Sequence, residues 1–206
     1  TVSIVRNQIS NTENDGIYFN DIDGEANTTV TVANNVLTEI GDEGIEFDLI
    51  ENDATANITV ANNQITNAQG DGIFFDDIQN NAVATVAVSE NVINGTGDDG
   101  IEFDLFENNA NVTIAVNNNQ ISNTRYEGIE FDDVEDNAVA NITVANNQIN
   151  TEQIGIEFDY IEDSANATIT VTGYTLTSAT ESGIFFEDIQ ENSVANITIT
   201  DNNILG

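Results

Sequence analysis

Apolar and polar residues alternate along this chain with a period of two, in short bursts. Ile101 and Phe103 alternate with Glu102 and Asp104, and Ile142 and Val144 with Asn141, Thr143 and Ala145. That period sends successive side chains to opposite faces, so the bursts predict short β-strands with one buried face. No segment holds a helical stripe longer than two turns. Polar stretches rich in Asn, Asp and Glu separate the bursts and predict turns.

The bursts recur on a fixed interval. Gly-Ile pairs stand at Gly16-Ile17, Gly44-Ile45, Gly72-Ile73, Gly100-Ile101, Gly128-Ile129, Gly155-Ile156 and Gly183-Ile184, spaced 28, 28, 28, 28, 27 and 28 residues apart. Each opens a variant of one phrase, typified by Gly100-Ile101-Glu102-Phe103-Asp104-Leu105-Phe106. A polar stretch follows, then a strand such as Asn57-Ile58-Thr59-Val60-Ala61, then Asn62-Asn63-Gln64-Ile65 and a turn to the next glycine. A unit of two or three short strands cannot bury its own apolar face, but copies stacked on one another can. The spacing therefore predicts one all-β solenoid domain over residues 1–206, with coils opening at 16, 44, 72, 100, 128, 155 and 183.

Stacking turns columns of the repeat into ladders. Phe19, Phe47, Phe75, Phe103, Phe131, Phe158 and Phe186 form one expected inward row, and Val30, Ile58, Val86, Ile114, Ile142, Ile169 and Ile197 another. Asn7, Asn35, Asn63, Asn91, Asn119, Asn147 and Asn202 share a column broken by Tyr174. A stacked amide can donate to one neighbouring coil and accept from the other, so this column is expected inside. Asn80 is expected to be exposed. Ala26, Ala54, Ala82, Ala110, Ala138 and Ala165 hold a column suited to a crowded bend.

Units of the form Ile-x-Val-x-Asn-Asn-x-Ile, followed by a polar turn and Gly-Ile, resemble the repeats of right-handed parallel β-helices of the pectate-lyase-like superfamily. The resemblance covers the whole chain. It implies a right-handed parallel β-helix of about seven coils of 28 residues, in a non-catalytic array of the kind found in bacterial secreted and cell-surface proteins. The fold hosts lyases, hydrolases, tailspikes and inert stalks, so it does not name a function.

Composition narrows the chemistry. The chain has 37 Asp and Glu against 2 Lys and Arg, a formal charge of −35, and no His, Cys, Met, Trp or Pro. It has no Lys either; its cations are Arg6 and Arg125. Imidazole bases, thiol nucleophiles, disulfides, His- or Cys-ligated metals and P-loops are excluded. Without metal bridging, the charge excludes a nucleic-acid backbone as partner, and no apolar run is long enough for membrane insertion. Acids stand in adjacent pairs at Asp76-Asp77, Asp132-Asp133 and Glu187-Asp188, and paired carboxylates can hydrolyse glycosides. Yet the His-Gly and Arg-x-Lys signatures of the superfamily's hydrolases are missing, and these acids repeat with the scaffold. No enzyme is expected.

The acids of the first strand fall in two outward rows, Glu46, Glu102, Glu130 and Glu157 beside Asp48, Asp104, Asp132 and Asp159. Stacking brings like charges to about 4.8 Å, a repulsion of roughly 1 kcal/mol per pair even in water. Hard divalent cations take six to eight oxygens of this kind, so Ca²⁺ on these eight residues is the expected counter-charge. Asp42-Glu43, Asp71, Asp98-Asp99 and Glu127 add acids just before the glycines. The competing reading is a solvated acidic face that keeps the protein soluble.

The function expected is a structural repeat module of an extracellular or cell-surface fibre, stalk or adhesin, stabilised by Ca²⁺. The start at Thr1 without Met suggests an excised or mature segment of a longer array. Open coil ends suggest end-to-end self-association, and outward Tyr18, Phe74 and Phe185 a lateral contact, with polysaccharide as a further partner. Alternatives are a carbohydrate-binding or carbohydrate-active β-helix, or an ice-binding solenoid using the outward Thr/Asn face of the second strand, interrupted at Ala87 and Ala115.

Overall fold

In a computed structural model, which describes residues 1–205, the chain winds through three parallel sheets of seven, eight and eight strands. Each coil contributes one strand to each sheet. In the coil opening at Gly100 these are Ile101–Phe106, Asn111–Asn117 and Gln120–Thr124. Every pairing joins a strand to its counterpart one coil away; Ile101 pairs with Ile73 on one side and Ile129 on the other. The protein is a parallel β-solenoid of about seven coils, as the repeat predicts.

The corners explain the abundance of Asn. Two consecutive residues in the left-handed region link the first strand to the second, as at Asn108 and Asn109 (φ 51° and 65°). One more links the second to the third, as at Asn118 and Asn146 (φ 57° and 56°). A further left-handed residue bends the third strand, Asn67 and Asn123 among them. Asn reaches this region at less cost than other side-chain-bearing residues, because its short amide bonds locally. Asn80 is one of these corner residues, with φ 53° and an amide that donates to Gln79 at 3.1 Å. It is half-buried rather than exposed, which corrects the expectation above.

The glycine that opens each coil is there for space. A Cβ on Gly72 would lie 2.5 Å from the carbonyl oxygen of Gly100 and 2.6 Å from Cγ2 of Ile93. Neighbouring coils approach too closely at this corner for any side chain. The alanine column that follows the first corner (Ala54, Ala82, Ala110 and Ala138) is likewise wholly buried.

Inside, the Phe row is a stack: centroids of successive rings from Phe19 to Phe186 lie 4.6 to 5.0 Å apart, with planes within 9°. The Ile/Val row of the second sheet is buried from Val30 to Ile169. The Asn column is the polar thread of this core. Asn63 donates its amide N–H groups to Asn91 Oδ1 at 3.0 Å and to the Val32 carbonyl at 2.9 Å. Its own Oδ1 accepts the backbone and side-chain N–H of Asn35, both at 3.0 Å. Every polar atom of the side chain is satisfied, and Asn63 is only 1% exposed. The coil of 27 residues arises in the third strand: Ser122 pairs with Asn150 and Thr124 with Thr151, so Asn123, a bend residue, has no counterpart.

Candidate cation-binding file

The first sheet sets the two predicted acidic rows in register. Glu102 pairs with Glu130 and Glu130 with Glu157, whereas Phe74 stands between Glu46 and Glu102. Asp48, Asp104, Asp132 and Asp159 form the second row, joined by Asp76, which the sequence singled out only as half of the Asp76-Asp77 pair. The two outer oxyacid rows are half-buried rather than fully solvated, and Glu157 is only 7% exposed.

A third row completes the site. The residue before each opening glycine is Asp15, Glu43, Asp71, Asp99 and Glu127, then Ile154 and Ser182. Asp71 and Asp99 are buried, at 6% and 4% exposure. Their Oδ1 atoms accept the backbone N–H of the next pre-glycine residue, Asp99 to Asp71 at 2.6 Å and Glu127 to Asp99 at 2.7 Å. Each of these acids also meets the first-strand glutamate of the following coil: Asp15 meets Glu46, Asp71 meets Glu102, Asp99 meets Glu130 and Glu127 meets Glu157. Where Phe74 fills that place, Glu43 turns back to Asp15. The result is a file of carboxyl–carboxyl contacts along one corner. Three ligand oxygens come within 4.8 Å of one another at Asp15–Glu43–Glu46, at Asp71–Asp99–Glu102 and at Asp99–Glu127–Glu130.

Sequence reading named the pre-glycine acids without pairing them with the glutamates. The signal was a spacing of one repeat plus three residues, 31 for Asp71–Glu102 and Asp99–Glu130. Nothing in a period-two pattern marks it, because the contact runs diagonally between coils at a bend.

Electrostatics along the file run one way. Burial, then neighbouring carboxylates, push Glu102 and Glu157 far above the ordinary carboxylate range. Asp71 also rises, burial outweighing the N–H that it accepts. In the Asp row, Asp76 and Asp132 are pushed up to about 7, by burial first and by the adjacent Asp77 and Asp133 next. The charges acting on these groups are other acids. Arg125 lays its guanidinium over the ring of Tyr126, 4.9 Å from the centroid, rather than against the file. Such an arrangement demands protons or metal ions. All-oxygen sites of carboxylates suit hard divalent cations, with backbone carbonyls and water completing the shell.

The remaining surfaces are simpler. Tyr18 is exposed and its hydroxyl donates to Asp48 Oδ2 at 2.6 Å. The outward Thr/Asn rows of the second sheet are in register, with Ala87 and Ala115 adjacent in the middle of one of them. No helix among the described residues is long and apolar enough to cross a membrane. Comparison with protein-family models, with curated proteins and with solved structures finds no match.

Proposed function

We propose that this chain is a structural repeat module of an extracellular fibre, stalk or adhesin, its solenoid stabilised by divalent cations, Ca²⁺ foremost, on the acidic rows. The observation that carries the reading is the file itself: carboxyls of successive coils touch in a half-buried corner with no cation of the protein's own beside them. The resemblance to non-catalytic β-helix arrays supports the structural part. So does the chemistry of the surface, which repeats with the scaffold from coil to coil.

Unfolding separates the crowded charges, so repulsion alone favours the unfolded chain. A cation that binds only the folded rows reverses this by RT ln(1 + [L]/Kd), about 2.7 kcal/mol at a hundredfold excess over Kd. In a chain of this size that is a rise in Tm of roughly 5–10 °C. The test compares Tm in millimolar CaCl₂ with Tm in NaCl of equal ionic strength, with EDTA as control. An equal rise in NaCl would show that the acids need only screening and would sink the proposal.

A further inference from the structure

We infer that a divalent cation of the calcium class is held between the fifth and sixth coils by Glu127, Glu157 and Asp159. This rests on the reading that the acidic rows take divalent cations and adds where a tight site lies. The file changes character at this point. Upstream, the glutamate of a coil groups with the pre-glycine acids of that coil and of the one before, as in Asp99–Glu127–Glu130. In the sixth coil the pre-glycine residue is Ile154, so one carboxylate is missing from the set. Asp159 takes its place, its carboxyl within hydrogen-bonding reach of Glu157, which also meets Glu127.

Two observations there point to a ligand beyond the clustering. Glu157 is more than nine-tenths buried, yet the groups around its carboxyl are Asp159, Glu127 and Glu130, all acids. Oδ1 of Asp159 is fully enclosed and finds no hydrogen-bond partner. Buried carboxylate oxygens are normally satisfied by N–H or O–H donors, as Asp71 and Asp99 are by backbone N–H groups. No donor reaches this oxygen of Asp159. A single proton can join one oxygen of Glu157 to one of Asp159, but it leaves Glu127 charged beside them. A dication engages all three carboxyls at once and offsets two of the three charges. Ca²⁺ tolerates the irregular geometry of side chains drawn from two coils, whereas Mg²⁺ demands near-ideal octahedral ligation and gives up its water reluctantly.

Tyr126 and Tyr160 neighbour Glu127 and Asp159 in the chain, so Tb³⁺ bound at this site would be sensitised by tyrosine excitation. The experiment titrates wild type, Glu157→Gln, Asp159→Asn and Glu90→Gln with Tb³⁺, with Ca²⁺ as competitor, and follows Ca²⁺ binding by calorimetry. Circular dichroism checks that each variant is folded. Wild type is expected to show a Ca²⁺-displaceable site that Glu157→Gln and Asp159→Asn each weaken at least tenfold, with the exposed Glu90→Gln, which lies outside the acidic rows, unchanged. In EDTA, Glu157→Gln should melt close to wild type, because the isosteric amide keeps the packing and the N–H donor in place of the protonated acid; this separates loss of a ligand from loss of fold. Ca²⁺ binding that is equal in all four proteins would overturn this site and leave the broader reading standing. If wild type binds no Ca²⁺ beyond what NaCl displaces, both are overturned.

Discussion

Asn119→Ala is expected to lower the unfolding free energy by about 3 kcal/mol or more, whereas Asn141→Ala should change it by less than about 0.5 kcal/mol. Asn119 is fully buried. Its amide donates to the Val88 carbonyl and to Asn147 Oδ1, both at 3.0 Å. Its Oδ1 accepts the backbone and side-chain N–H groups of Asn91, at 2.9 and 3.1 Å. Truncation therefore removes four bonds where water cannot reach; Asn147 Oδ1 keeps the backbone N–H of Asn119 and the Asn91 amide keeps the Val60 carbonyl, but the Asn91 backbone N–H loses its side-chain acceptor, and a buried unpaired group costs about 1–3 kcal/mol. The losses are not additive, since the coils can shift to recover some of them. Asn141 points outward from the second strand and is exposed. The corner residue Asn80 is a poor control, because alanine there must hold a positive φ. Urea unfolding of both variants, at constant slope, gives the comparison. Equal midpoints would remove the ladder from the account of stability.

Without divalent cations, stability is expected to fall as pH rises, with Tm dropping on the order of 10 °C between pH 5 and pH 8.5. The sign follows from the direction of the shifts. Asp76 and Asp132 titrate near 7 in the folded protein, and Glu102 and Glu157 well above the carboxylate range. In the unfolded chain such groups titrate near 4. The folded state therefore binds more protons between these limits, and the stability this gives is fully present below about pH 4 and lost as pH climbs through 7 and beyond. Partial exposure to solvent reduces the contribution of each group, yet several of them act together. Saturating Ca²⁺ should flatten the profile, because the cation takes over from the protons at neutral pH. Thermal melts in EDTA across this range provide the measurement. A Tm that is flat, or rises toward pH 8.5, would mean that the carboxyls are solvated and ordinary.

The two predictions separate what could be read in the chain from what could not. The Asn119 column was legible because a solenoid repeats: residues 28 apart must stack, whatever the details of the coil. The Phe stack was legible for the same reason, since one period-two burst per coil has one buried side. The file of carboxyls was only half legible. Glu102 and Glu130 share a column and were predicted to meet, but Asp99 and Glu130 belong to different columns. Their contact depends on how sharply the backbone turns at the glycine corner, where neighbouring coils approach within the space of a single Cβ.

The sequence by itself determined the coil length, the parallel stacking, the inward rows and the one-sided charge. These follow from periodicity and composition, which need no coordinates. Only the tertiary structure decided how deep the acids lie. Period-two alternation calls Glu157 outward, and locally it is; at the corner, where Glu127 of the preceding coil meets it, it is nonetheless only 7% exposed. The same holds for the Asn-rich turns, read as polar loops and found to be left-handed corners, where Asn predominates and a β-branched side chain would be strained. Burial and backbone handedness depend on where neighbouring coils lie in space, and a linear pattern records a residue's own strand but not the curvature that brings another strand over it.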